Sequence, residues 1–154
     1  MNDSSDIKPT VSICATFFNA EKYIRRLLES CLCQTYENIE LVIVDDQSVD
    51  NSATIIEEYA KRDPRIKYFK NEKRIGLAES ELKMFESATG QFSIMLGADD
   101  WLARDFIENG VKCFLTRPNI AGVIPRLISL QEEQNGSFTL ADDTFYEFSA
   151  PKIR

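Results

Sequence analysis

The chain has 154 residues, 44% of them hydrophobic, and 18 Lys+Arg against 25 Asp+Glu leave a net charge of −7. That length suits one core able to fold unaided. A pI near 4.7 with a mean hydropathy of −0.26 excludes a general nucleic-acid binder, because phosphate backbones attract basic surfaces. There are no histidines, which removes His-activated nucleophiles, the usual zinc sites and imidazole proton shuttles.

Residues 1–10 are polar, contain Pro9 and read as a flexible arm without the apolar stretch of a signal peptide. No apolar run approaches the ~20 residues of a membrane span, so the expected location is cytoplasmic, at the inner membrane face through a further region or a partner. Val11–Phe17 is a short apolar run and predicts a buried strand. A helix follows, with Asn19 as its cap and Glu21 in its first turn. Tyr23, Ile24, Leu27, Leu28, Cys31 and Leu32 fall on one face of it.

Ile39–Val44 is nearly continuous and β-branched, as in a parallel strand covered on both faces. Asp45-Asp46-Gln47-Ser48 ends it, and Asp50, Asn51 or Ser52 caps a second helix carrying Ile55, Ile56, Tyr59 and Ala60. Ile66–Phe69 is a third strand. A polar loop, Lys70–Gly76, leads to a third helix, Leu77–Thr89, closed by Gly90 as its C-terminal cap. Phe92–Leu96 is a fourth strand, ending in Gly97-Ala98-Asp99-Asp100-Trp101. A fourth helix carries Phe106, Ile107, Gly110, Val111, Phe114 and Leu115, Pro118 stops it, and Ala121–Ile124 reads as a fifth strand. Beyond Pro125, Leu127–Leu130 and Ser137–Leu140 flank the turn signal Asn135-Gly136 and predict a hairpin.

Strands alternating with helices indicate an α/β fold, a mainly parallel sheet with helices on both faces. The domain expectation is 11–125 for this βα domain and 126–154 for the incomplete start of a further region. Cys14, Cys31, Cys33 and Cys113 read as buried or half-buried free thiols of a reducing compartment, since Cys31-Leu-Cys33 lacks the C-x-x-C spacing of redox and zinc modules.

Ligands of open α/β sheets bind outside the carboxyl ends of the strands. Three polar clusters fall there: Thr16-Phe17-Phe18-Asn19, Asp45-Asp46 and Asp99-Asp100. One acidic pair can be a simple helix cap. Two on one sheet edge are costly neighbours that a cation or hydrogen-bond donors must compensate. Carboxylates without His or paired Cys suit Mg²⁺ or Mn²⁺, which commonly bridge a carboxylate to substrate phosphates. No G-x-G-x-x-G follows the first strand and no P-loop occurs, so neither dinucleotide binding nor P-loop hydrolysis has support. A phosphoacceptor signalling domain would want its acidic pair after strand one, where Thr16 stands.

The ordered set Thr-x-x-Asn, Gln-Thr-Tyr, Glu-x-x-x-Val-Asp-Asp-x-Ser-x-Asp, Asn-x-x-x-x-Gly and Gly-x-Phe before an acidic turn, from about Val11 to about Ile124, resembles the family 2 glycosyltransferases of the GT-A fold, in their N-terminal nucleotide-sugar-binding part. The resemblance implies transfer of a hexosyl-type sugar from a UDP- or GDP-sugar donor, with Mn²⁺ or Mg²⁺, to the hydroxyl of a carbohydrate or lipid-linked glycan in cell-surface polysaccharide synthesis. It implies that Thr16, Phe18 and Asn19 line the nucleotide pocket. Asp46 would accept from a base ring nitrogen, Asp45 would shape the turn, and Ser48 and Asp50 would fix that loop. Asp99 would contact the ribose or the metal, and Asp100 would bind the metal.

Four departures stand out. Gly97 takes the first place of the usual Asp-x-Asp-Asp. Glu81 replaces an Arg near the donor, leaving Lys73 or Arg74 as the compensating cation. Ala15 replaces a Pro. The carboxylate base of the inverting reaction is expected beyond Arg154, in a fold truncated here. Asp142 and Asp143 come too early for that role and read as a solvated or capping pair, and Trp101 and Phe106 read as packing residues. A degenerate, non-catalytic GT-A module with a scaffolding or interaction role is the alternative.

Overall fold

A computed structural model of the chain describes residues 8–117, Gly122, and the backbone of 129–132 and 138–142. The chain divides into two compact units, Met1–Glu108 and Asn109–Arg154.

The first unit is a four-stranded parallel sheet in the order β3-β2-β1-β4, built from β1 (Val11–Phe17), β2 (Ile39–Asp45), β3 (Ile66–Lys70) and β4 (Phe92–Leu96). Every residue of central β2 is buried, which explains its continuous apolar sequence. Helices α1 (Ile24–Leu32), α2 (Ser52–Ala60) and α3 (Leu77–Ser87) connect the strands. Side chains alternate between sheet faces. Cys14, Val42 and Val44 therefore share the α3 face, where they pack with Met84 and the partly buried Phe69 and Ala88. Ile13, Ala15, Leu41 and Ile43 point the other way and are fully enclosed. On that side α1 buries Ile24, Leu27, Leu28 and Cys31, and α2 buries Ile56. Fully burying one such aliphatic side chain is worth roughly 1.5–3 kcal/mol. The sheet and its helices thus hold the carboxyl-end loops on a rigid base.

Two expected caps are different in fact. Helix α1 begins at Ile24 with no side-chain cap. Asn19 instead adopts φ 55° and its Oδ1 accepts from Val49 N at 3.0 Å, while Ala20 O accepts from Tyr23 N and Ile24 N. Glu21 precedes the helix and accepts from Asn51 N and Nδ2. Gly90 is not a left-handed cap either, because α3 ends at Ser87 with extended Ala88 behind it. A Cβ at Gly90 would lie 2.6 Å from Ser12 Oγ and 2.7 Å from Thr10 O, so close backbone approach requires glycine there.

Helix α4 (Phe106–Thr116) contains the boundary between the units. The second unit carries an antiparallel pair, β5 (Ser129–Glu132) and β6 (Phe138–Asp142), with an irregular register at Ser129/Leu130. The expected hairpin is therefore present, shifted by about two residues. The expected strand Ala121–Ile124, Asp143 and most of the arm lie outside the described residues. Among the described residues no helix is long and apolar enough to cross a membrane, and Cys14, Cys31, Cys33 and Cys113 are all free, with Cys33 exposed rather than buried.

Candidate functional site

The strand order places β2 and β3 on one side of β1 and β4 on the other. The direction of winding reverses at β1, and such a switch point opens a crevice at the carboxyl ends of the strands. The register sets what meets there: Phe17 pairs with Asp45, Asp45 with Lys70, and Ala15 with Leu96. The loops carrying Phe18, Asp46, Asn71 and Asp99 therefore leave one edge, from strands about 4.8 Å apart.

Asp45 is fully enclosed. Its Oδ1 accepts from Ser48 N at 2.6 Å, and its Oδ2 accepts from Tyr68 Oη at 2.9 Å and faces Lys70 Nζ at 3.9 Å. Burial, followed by the Asp45 carboxylate itself, pushes the Tyr68 phenol above its ordinary range, so it stays a donor. Asp45 thus shapes the turn. Ser48 Oγ then accepts from Asn19 N, Ser52 Oγ from Ala20 N, and Asp50 Oδ2 from Glu21 N, at 2.9, 2.9 and 3.0 Å. These bonds lace the loop after β2 to the loop after β1. Both loops contain a non-glycine residue at positive φ, Asn19 at 55° and Gln47 at 64°, a strained backbone that the lacing holds in place.

Asp46 is the central side chain of the edge. Its Oδ1 accepts from Asn71 Nδ2 at 3.0 Å and Ile75 N at 2.8 Å, and its Oδ2 from Gly76 N at 2.9 Å. Burial alone would raise its pKa. The donors of Ile75, Asn71, Gly76 and Ser80 together outweigh burial and hold it below the usual carboxylate range. Asn71 is itself fixed: it donates to Ser80 Oγ and accepts from Lys83 Nζ at 2.8 Å. Arg74 lies with its guanidinium carbon 3.8 Å from the Phe18 ring centroid and its Nε 3.8 Å from Asp46 Oδ2. Phe18 and Asp46 therefore border one space. Thr16 and Phe18 are half-buried beside it and Asn19 is exposed.

The acidic turn after β4 is tied from below. Gln34 Oε1 accepts from Ile107 N and its Nε2 donates to Ala103 O. Thr35 N donates to Arg104 O, and Tyr36 Oη donates to Pro9 O. Gln34 and Thr35 thus clamp the segment that follows the turn, and Tyr36 holds the residues that enter β1. Asp99 and Asp100 are exposed. Asp100 Oδ2 accepts from Gly97 N at 2.9 Å, and a Cβ at Gly97 would lie 2.9 Å from Asp100 Oδ2 and 3.1 Å from Asp99 Oδ1. Both carboxylates therefore converge over the glycine, in room that the missing side chain leaves. Among the described residues no three His, Cys, Asp or Glu side chains gather as a metal cluster. Two converging hard oxygens still fit two of the six positions of Mg²⁺ or Mn²⁺, whose remaining positions waters and substrate phosphates commonly fill.

The family profile described as "Glycosyl transferase family 2" matches residues 12–148. The chain belongs to glycosyl transferase family 2. It is similar to the putative glycosyltransferase EpsH of Bacillus subtilis (strain 168), 44% identical over 100 residues that cover 65% of this chain and 29% of EpsH. Among solved structures it is similar to S. aureus TarS 1–349 in complex with UDP, with a TM-score of 0.63 and 26% identity over 67% of this chain and 31% of that one. It is also similar to the mannosyltransferase PcManGT of Pyrobaculum calidifontis in complex with GDP-Man and Mn²⁺, with a TM-score of 0.66 and 27% identity over 77% and 35% of the two chains. The family 2 chain thus has the GT-A fold and spans less than half the length of each of these relatives.

Gln34 and Asn71 were given no role of their own in the sequence reading, and Arg74 entered it only as a candidate compensating cation. Gln34 and Asn71 stand inside quoted motifs, and their partners reveal why those positions are polar. The stacking of Arg74 on Phe18 has no sequence signal beyond a cation in the right loop.

Proposed function

We propose that residues 11–100 bind the nucleotide of a nucleotide-diphospho-sugar at the carboxyl edge of β1, β2 and β4. The observation that carries this reading is Asp46. It is ionised and enclosed, with Asn71 and Ile75 donating to Oδ1 and Gly76 to Oδ2, and Oδ2 lies on the side of the Phe18 ring, since Arg74 touches both. A nucleobase that stacks on Phe18 and donates a ring N–H satisfies both. Thr16, Phe18 and Asn19 line this pocket, and Asp45 and Ser48 hold its wall. Asp99 contacts the ribose or a divalent ion, and Asp100 the ion. Asp99 and Asp100 would hold Mn²⁺ or Mg²⁺, which would supply positive charge to offset that of the departing diphosphate. The UDP complex of TarS and the GDP-Man and Mn²⁺ complex of PcManGT support the class of ligand.

For the protein as a whole we propose transfer of a hexosyl-type sugar to a carbohydrate or lipid-linked glycan acceptor in cell-surface polysaccharide synthesis, on the cytoplasmic side of a membrane. Calorimetric titration with UDP and GDP, with and without Mn²⁺, tests the site. Asp46→Ala should weaken binding under both conditions, and Asp100→Ala only with metal. Unchanged affinity in both variants refutes the assignment. One observation favours a second reading, a non-catalytic GT-A module: half-buried Glu81 on α3 sets a carboxylate where the family resemblance expects a donor-side Arg. Failure of both UDP and GDP to bind at millimolar concentration decides for it.

A further inference from the structure

We propose that Arg74 is a self-ligand of the nucleobase subsite: its guanidinium occupies the place of the donor's base, and the base enters by displacing it. The inference rests on the donor-site reading above. A guanidinium is planar and carries N–H donors on its edge, the two properties a ring N–H base would use here. Its carbon is 3.8 Å from the Phe18 centroid, which is van der Waals contact, so no second flat group fits between them. Its Nε faces Asp46 Oδ2 at 3.8 Å, the oxygen that accepts from Gly76 N. Arg74 therefore covers the stacking face and the hydrogen-bonding atom together.

The surroundings let the side chain leave without moving the loop. Arg74 N donates to Gln47 Oε1 at 3.0 Å, and Gln47 Nε2 donates to Glu72 O at 2.9 Å. Ile75 N and Gly76 N are pinned by Asp46. The backbone on both sides is fixed, while the Arg74 side chain is 62% exposed. Opening requires only rotation about side-chain torsions, a picosecond-to-nanosecond motion for an exposed residue. Exposed cation–π and ion-pair contacts are individually modest, so the cover is weak enough for a base to displace.

The test compares wild type, Arg74→Ala and Arg74→Lys in the full chain, titrated with uridine and UDP and in parallel with guanosine and GDP. Arg74→Ala should bind nucleoside and diphosphate alike about 5-fold more tightly, ~1 kcal/mol at 1.4 kcal/mol per factor of ten. Arg74→Lys, which loses the planar stack, should shift in the same direction. Weaker UDP or GDP binding in Arg74→Ala, restored in Arg74→Lys and absent for the nucleosides, would make Arg74 a phosphate-side cation and overturn the proposal. Equal affinities in wild type and Arg74→Ala would also overturn it while leaving the donor site standing. Absence of binding by every protein and probe would overturn both.

Discussion

Glu40 lies near the amino end of β2, at the opposite edge from the candidate site, and it offers the sharpest test of how the fold is held. It is 6% exposed. Its Oε1 accepts from Ser12 Oγ at 2.5 Å, Thr89 N at 2.6 Å and Gly90 N at 3.2 Å. Its Oε2 accepts from Thr89 Oγ1 at 2.8 Å and pairs with Lys67 Nζ at 2.5 Å. One carboxylate thereby joins β1, β2, β3 and the α3–β4 connection. Burial alone would raise its pKa. Lys67, Ser12 and Thr89 overcome burial and bring it to about 2, against an ordinary value of 4.5.

A carboxyl depressed on folding contributes stability above its unfolded pKa, and loses it as pH falls through the folded one. The difference corresponds to ~3 kcal/mol at pH 7, about 1.4 kcal/mol at pH 3 and little by pH 2. Glu40→Gln keeps the shape, removes the charge and turns an amide N–H₂ toward donors. Urea midpoints of both proteins between pH 2 and 7 should diverge by ~3 kcal/mol at neutral pH and converge in acid. A gap below ~1 kcal/mol at pH 7, or one that persists unchanged at pH 3, refutes this account of the staple. Nucleotide affinity of the folded variant should be unaltered, since Glu40 sits at the far edge.

Gly90→Ala should lower the urea midpoint by the equivalent of about 2 kcal/mol or more, because the new methyl would meet Ser12 N and Thr10 O, both at 2.7 Å. A midpoint within error of wild type would refute the close-approach reading. Thiol labelling of the native chain should modify exposed Cys33 first. Cys14 and Cys31 should react only on unfolding, since burial pushes their thiols up to about 11 and about 12. Mass spectrometry of labelled peptides reads the order, and early labelling of Cys31 would refute the packing of α1.

β1 and β2 were readable because burial on both faces imposes continuous apolarity, while the partly buried β3 and β4 stand out only as short apolar runs between polar loops; β4 covers the expected residues and β1–β3 differ by at most one. The carboxyl-edge clusters were readable because topology alone fixes where strand ends lie. Caps were not. Asn19 followed by a helical pattern satisfies the local rule, but its partner is Val49 N, thirty residues away, and no local rule contains that distance. Gly90 resembled a cap for the same reason, while Ser12 and Thr10 crowd it from another strand. The role of Gln34 likewise depends on Ala103 and Ile107. Gly97 read as the loss of a ligand, yet the space it leaves is where Asp99 and Asp100 converge.

The negative charge of the chain is handled differently at each part of the edge. Asp45 and Asp46 are answered internally, by Lys70 and Arg74 at 3.9 and 3.8 Å and by N–H groups of Ser48, Ile75 and Gly76. Their charge is already offset before any ligand arrives, and at Asp46 the N–H groups of Asn71, Ile75 and Gly76 remain in place when Arg74 is displaced, so a neutral base can approach without a counterion. Asp99 and Asp100 are exposed like charges brought over one glycine, and their repulsion favours a cation between them. A diphosphate approaching that turn meets two carboxylates of its own sign. On this reasoning nucleoside affinity should be indifferent to Mn²⁺ whereas diphosphate affinity should rise with it, and the difference should vanish in Asp100→Ala. Metal dependence of nucleoside binding would show instead that the ion acts at Asp46, and would move the metal site to the other acidic pair.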